Sequence, residues 1–221
     1  MAGTPKQGYW LNGKRIPSVT TIISNCKMGG IEPLLIWANK CGQEGNSHRD
    51  VANRAADAGT CAHDMIECDI RNQEFNPEAY DYDALDTAKP CFDAYLKWKE
   101  QMNLKVRQAE VKLISEKYGY GGTMDALATG EALVLGDWKT SNAIYPDYVV
   151  QLAAYKQLWE ENYPDEPITG GAYLLRVNKQ KEPDDPISFS YHYWENLDLG
   201  WETFQHMLEI YRLHKRLKGI C

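Results

Sequence analysis

Residues 131–141 read EALVLGDWKTS: an apolar run, Ala132 to Leu135, stops at Gly136 and gives way to an acid, a tryptophan and a lysine. A short apolar run bounded by turn residues marks a buried strand, and residues two apart on a strand share a face. Asp137 and Lys139 therefore project together while Trp138 points the other way. The stretch before it, GGTMDALATG (121–130), carries a second acid, Asp125, on a run that the Gly130 turn folds back against the first. Two carboxylates brought close across such a ladder repel, and one pKa rises unless a cation lies between them. A hard divalent ion held through oxygen removes that conflict. Taken alone, an Asp and a Lys at i and i+2 also suit a solvated ion pair.

Working outward, residues 107–141 alternate and carry turn signals at 118–122 and 129–131, which predicts a three-stranded antiparallel meander. Pro146 suits the first turn of a helix over 148–162, which NYPDEP (162–167) breaks. ITGGAYLLRV (168–177) and ISFSYHYW (187–194) read as two further strands, and 197–218 as a closing amphipathic helix. The expected fold class is α/β (α+β), with a mixed central sheet in the order βββαββ flanked by helices. Toward the N-terminus, YWLNGKRIPSVTTII (9–23) sets Asn12–Gly13 between two strand-like pieces, a hairpin signal. Residues 31–71 and 83–102 have helical spacing and predict two or three helices. The expectation is one domain over 1–221: a hairpin-and-helix wall (1–105), a core (106–195) and a C-terminal helix (196–221).

The bulk numbers agree with one core: 221 residues, 43% of them hydrophobic. A formal net charge of -7 argues against a surface coated in basic residues, while leaving room for a local basic groove. Six cysteines include no CxxC pair, which suits reduced thiols. The opening MAGTPKQGYW resembles neither a signal peptide nor a transit peptide, and no apolar run is long enough to span a bilayer. No membrane association and a cytoplasmic location are the expectations.

Two helical pairs complete the pattern. Gln151 and Tyr155 lie four apart on the helix after the Asp137 strand, and AGTCAHDMIE (58–67) places His63 and Glu67 alike. IPSVTTII, AGTCAH, YGGTMDALA, DWKTS and QLAAY occur in that order between Ile16 and Tyr155. Together they resemble the PD-(D/E)XK nuclease superfamily in its RecB-type branch. They are similar in particular to the group containing the mitochondrial genome maintenance exonuclease and its phage and bacterial relatives.

That resemblance implies a restriction-endonuclease-like core and a metal-dependent DNA exonuclease. Such an enzyme hydrolyses phosphodiester bonds of single-stranded DNA or DNA ends, in replication, recombination or repair. It implies Mg2+ or Mn2+ held by Asp125 and Asp137, with the Trp138 carbonyl as a third oxygen donor. His63 is implied as an added ligand, and an imidazole among carboxylates shifts preference toward manganese. Glu110 matches an acid that binds metal directly or through water. Lys139 would position or deprotonate the attacking water and stabilise charge on the phosphate, its proton made labile by the neighbouring cation. Gln151 and Tyr155 would orient the scissile backbone or brace the catalytic strand. DNA is the implied partner, and a single-strand-annealing or replication protein would be a second, of unknown identity.

Weaker signals surround this set. Tyr118, Tyr120 and Tyr145 are candidate stacking contacts for bases. Arg212, Lys215 and Arg216 form a basic patch that suits phosphates or the negative end of a helix dipole. No iron-sulfur cluster is expected, because relatives that hold one cluster three cysteines near the C-terminus and only Cys221 follows Cys91 here. His63–Asp64, with His48 upstream, also resembles the HD-type metal phosphohydrolases, but those are all-helical. A zinc deaminase lacks its second cysteine and its Glu, and Lys139 follows Trp138 rather than the Gly of a phosphate-binding loop. A non-catalytic nucleic-acid-binding subunit with a nuclease fold is the alternative of a different class.

Overall fold

A computed structural model describes residues 8–26, 30–102, 105–141, 143–177 and 189–220. The hairpin forms where the Asn-Gly pair places it. Strand β1 (Tyr9–Leu11) pairs antiparallel with β2 (Lys14–Ile16). Asn12 and Gly13 take φ of 49° and 73°, the left-handed values that a tight two-residue turn demands.

The second strand-like piece is shorter than its β-branched residues suggest. Pro17 and Ser18 end β2, and α1 (Val19–Cys26) follows where VTTII reads as strand. Ser18 Oγ accepts from the Thr21 N–H at 3.0 Å, satisfying a donor that the first helical turn leaves open. Val19, Ile22 and Ile23 are buried on one face, in the same core layer as Phe204 and Met207. Burial at i, i+3 and i+4 thus overrides a local preference for strand.

Three helices come next: α2 (Glu32–Gln43), α3 (His48–Arg71) and α4 (Tyr82–Met102), with a 3-10 turn at Pro77–Ala79. The meander is β3 (Lys105–Ser115), β4 (Tyr120–Thr129) and β5 (Leu133–Thr140). Helix α5 (Pro146–Asn162) leads to β6 (Ala172–Val177), β7 (Phe189–Trp194) and α6 (Asp198–Lys218). Residues 187 and 188 of the expected last strand lie outside the described residues. The sheet runs β3-β4-β5-β6-β7. Only β5 and β6 pair parallel within it, joined by α5, which gives the βββαββ order expected from the sequence.

Helices cover both faces of the sheet. One core layer joins α1, α5 and α6 to Leu113, Leu135 and Leu174 of the strands. The other joins Cys61, Ala62, Tyr95 and Trp98 of α3 and α4 to Ala126, Trp138 and Leu175. No helix among the described residues is long and apolar enough to cross a membrane. Among the described residues Cys26, Cys41, Cys61, Cys68 and Cys91 form no disulfide, and Cys221 lies outside the described residues.

Two glycines open β4 because side chains lie where a Cβ would be. A Cβ on Gly121 would sit 2.4 Å from the ring of Tyr9, which is buried and bonded through its hydroxyl to Thr123 Oγ1 at 2.7 Å. A Cβ on Gly122 would meet the Tyr155 ring at 2.7 Å. Gly121→Ala is therefore expected to destabilise by about 1–3 kcal/mol, as overpacking does. The melting temperature should fall by roughly 2–4 °C per kcal/mol, and an unchanged melt would show that the hairpin moves aside without cost.

Candidate active site

Alternation along β5 turns Leu135, Asp137 and Lys139 to the α5 side and Trp138 to the α3/α4 side. Asp137 pairs with Lys139, and both are almost fully buried. On the neighbouring strand Asp125 is 1% exposed, and its Oδ2 accepts from the Trp138 N–H at 2.9 Å. The alternation of β4 slips here: Met124 and Leu127, three residues apart, both pack in the α5-side layer.

His63 arrives from α3, with Nδ1 3.7 Å from Glu110 Oε1 and 3.8 Å from Asp125 Oδ2. Ligand-type atoms of His63, Glu110 and Asp125 all lie within 4.8 Å of one another, a spacing that suits one metal ion. Asp137 stands beside this group rather than within it, tied to Lys139. Glu67, one turn along α3 from His63, is taken by Arg71 at 2.8 Å.

Glu110 reaches the group by way of an unusual backbone. It sits in β3 between Ala109 and Val111, which pair with Ala126 and Met124, with φ of 51°, a left-handed conformation that costs a side-chain-bearing residue of order 1–3 kcal/mol. Glu110→Gly removes both the strain and a carboxylate next to Asp125, against the extra chain entropy of glycine. Thermal stability without metal is expected to hold or to rise by up to about 1 kcal/mol, while stabilisation by added divalent cation shrinks. A loss of stability together with undiminished cation response would remove Glu110 from the site.

The electrostatics follow from burial. Asp137 is pushed up to about 6, first by loss of solvent and then by the charge of Asp125, against the opposing pull of Lys139 and His63. Burial works against the Lys139 ammonium, but Asp137 and then Asp125 override it and hold it above the ordinary lysine value. With these protein groups alone, then, the Lys139 proton is held more tightly, the reverse of the lability a neighbouring cation would confer. Tyr155 stays a neutral phenol well beyond its usual range because it is buried and faces the charges of Asp125 and Asp137.

Gln151 Nε2 donates to Tyr155 Oη at 2.8 Å, so these helix residues form a bonded pair under the sheet. Tyr148, one turn earlier, was not singled out by the sequence. Its ring centre lies 5.5 Å from Lys139 Nζ, and its edge meets Tyr145. The i, i+3, i+7 row Tyr148, Gln151, Tyr155 was the signal available for it.

The remaining expected contacts divide. Tyr120 is 0% exposed, packs on Phe204 and donates to Ala154 O at 3.0 Å, so it has no surface to offer a base. Tyr118 is partly buried against Trp201, whereas Tyr145 is exposed. On α6, Arg212 bonds Tyr118 O at 2.6 Å and Glu209 at 2.7 Å, and Lys215 lies over the Tyr211 ring. Arg216 is exposed in the last turn. The Trp138 ring packs edge-on to Tyr95 and Trp98.

With Asp137 Oδ2 and Lys139 Nζ engaged in their ion pair, three further buried atoms of the cluster lack a hydrogen-bond partner: His63 Nδ1, Asp125 Oδ1 and Asp137 Oδ1. Buried polar atoms are normally partnered. One nitrogen and two carboxylate oxygens left open, beside Glu110, fit the donor set of a hard or borderline divalent cation.

No protein-family model matches the chain, and no curated protein sequence matches it either. Among solved structures, a candidate exonuclease from Eubacterium rectale is similar at 15% identity and a TM-score of 0.48, over 69% of this chain and 64% of its own. The present chain thus spans less than two thirds of that protein. The alkaline exonuclease LHK-Exo of Laribacter hongkongensis is similar at 16% identity and a TM-score of 0.38, over 71% of this chain and 84% of its own. Its complex with dAMP gives 16% identity and a TM-score of 0.37, over 77% and 93%. Similarity at these values assigns no function to the chain.

Proposed function

We propose that the chain is a divalent-metal-dependent deoxyribonuclease, an exonuclease acting on single-stranded DNA or DNA ends. One observation carries this reading: His63, Glu110 and Asp125 converge from α3, β3 and β4 beside the buried Asp137–Lys139 ion pair, with cation-type donor atoms left open. His63, Glu110, Asp125 and Asp137, with the Trp138 carbonyl, would hold Mg2+ or Mn2+. When bound, such an ion lowers the pKa of water and offsets the charge of phosphate oxygens.

The chain's own groups have distinct tasks. Lys139 brings its ammonium to the cluster through the Asp137 ion pair, and it places positive charge where negative charge grows on the phosphate. Asp137 orients that ammonium through their ion pair. Tyr148 covers it from the α5 side. Gln151 and Tyr155 are committed to each other and brace the floor of β4 against α5, where Gly122 lets the Tyr155 ring come close. Tyr145, exposed beside Tyr148, offers a face to a base, and Tyr118 offers a smaller one. Nothing in this arrangement requires a covalent enzyme intermediate.

End-labelled linear and circular single-stranded DNA, incubated with Mg2+, Mn2+ or chelator, test the reading. The expected result is cleavage of linear strands with either metal and none with chelator. Equal cleavage of circles would replace exonuclease with endonuclease. No cleavage of any strand would favour a nucleic-acid-binding subunit.

A further inference from the structure

We propose that a cavity between the hairpin, α1 and the end of α6 binds a phosphate group of a nucleic-acid strand through Arg15 and Lys215. The cavity measures about 250 Å3 and is lined from β2 by Arg15, from α1 by Thr21 and from α6 by Tyr211 and Lys215. It shares no residue with the His63–Glu110–Asp125 cluster or with the Asp137–Lys139 pair. No carboxylate lines it, although the chain carries 31 acidic side chains against 24 basic ones. Among the described residues neither of its cations is in an ion pair, whereas Arg212, one turn before Lys215, is taken by Glu209.

Both cations are held in place. Gly8 takes φ of 69°, and the Arg15 guanidinium lies against its backbone, so that a Cβ there would stand 2.9 Å from Arg15 Nε. Lys215 Nζ sits 5.2 Å from the centre of the Tyr211 ring. Side chains positioned beforehand lose less freedom when a ligand arrives. On the α1 wall the Thr21 hydroxyl is tied to Ser18 Oγ at 2.8 Å. Two positive charges and a hydroxyl around one small cavity suit a compact oxyanion with several acceptor oxygens.

The position of the cavity selects a strand as the source of that oxyanion. The Gly121 N–H donates to Pro17 O at 2.9 Å, which ties the cavity wall to β4. Asp125 lies four residues further along β4, about 13 Å away at 3.3 Å per residue. A strand with one phosphate at the metal cluster therefore brings another within reach of Arg15 and Lys215. This step rests on the reading of DNA as substrate, while the cavity and its cations stand without it.

Fluorescence anisotropy of a labelled oligothymidine over a salt series, with chelator present so that nothing is cleaved, tests the site. Arg15→Gln with Lys215→Gln should make the fall of log affinity with log salt shallower by about 0.7, the value for one single-strand phosphate. Both residues are exposed, so these variants keep the fold. Gly8→Ala leaves every charge in the chain but sets a methyl group against the guanidinium, and should weaken binding as Arg15→Gln does. Lys97→Gln, which removes an exposed cation from α4, should change nothing. Inorganic phosphate should displace the oligonucleotide better than chloride of equal ionic strength, and the double variant should lose that difference. Equal affinity for strands with and without a terminal phosphate assigns the cavity to backbone diesters. Tighter binding of phosphorylated strands, lost in the double variant, assigns it to strand ends. An unchanged salt slope in the double variant, wild-type affinity in Gly8→Ala, or an equal effect of Lys97→Gln would each overturn the proposal. A chain that binds strands in this way yet cleaves none with Mg2+ or Mn2+ keeps the cavity assignment and loses the nuclease one.

Discussion

Lys139→Met is expected to lower DNA cleavage by about 10²–10⁴-fold, the range spanned by loss of a charge-stabilising or proton-transferring group. The unbranched side chain keeps much of the packing against Tyr148, so the fold and DNA binding should persist. Single-turnover rates with saturating metal check the rate, and filter binding with Ca2+ checks the affinity. In the metal-free chain Lys139 lowers the Asp137 carboxyl, so removing it lets burial and Asp125 push that group further up, and the pH-dependent loss of metal-free stability should extend to higher pH. Asp125→Asn is expected to abolish cleavage with an unmoved melt. Activity within threefold of wild type in either variant would defeat the proposed site.

Divalent cation should stabilise the folded chain measurably. At a concentration of about 100 times the dissociation constant, mass action adds about 2.7 kcal/mol, which for a chain of this length is a rise of roughly 5–10 °C in melting temperature. The pH dependence without metal has a definite sign. Asp137 ordinarily titrates at 3.8 and in the fold at about 6. Between those values the folded chain holds a proton that the unfolded chain has released. Stability therefore falls as pH rises from about 4 to about 6, by about 2–3 kcal/mol at 1.36 kcal/mol per unit, and stays lower above. Lys139, held above its ordinary 10.5, contributes stability that is lost only at more alkaline pH and leaves this window alone. Cation binding should strengthen across the same interval. A chain that melts at the same temperature with and without Mn2+ at pH 7.5 would exclude the metal centre.

The strands and most helices were legible because their signals are local. Asn12–Gly13 sits in a turn that only left-handed residues fill, and Pro146 stands where a helix needs no amide hydrogen. Helix α1 was not, because Val19, Thr20, Thr21, Ile22 and Ile23 prefer strand locally and are helical only through burial against α5 and α6. At the site, the shared face of Asp137 and Lys139 follows from a period of two, and the nearness of Asp125 from a tight turn. The left-handed backbone of Glu110 has no signature in residue type. Nor does the preference of Asp137 for Lys139 over the His63 group, which is set by how neighbouring side chains fill the space. Tyr120 was misread as a DNA contact because a tyrosine beside a site looks the same in sequence whether its ring faces water or Phe204.

The parallel pairing of β5 and β6 obliges the chain to cross the sheet, and α5 is that crossing. The same helix must therefore keep two phases at once. Its length sets where β6 begins, and its rotation sets where Gln151 and Tyr155 stand. One residue inserted between Pro146 and Gln151 would turn Gln151 and Tyr155, and with them Leu158 and Trp159, by about 100° relative to the first turn of the helix, whereas an insertion in the loop at 163–171 would leave Gln151 and Tyr155 in place. Length variation between descendants of this chain should accumulate after α5 and be purged within it.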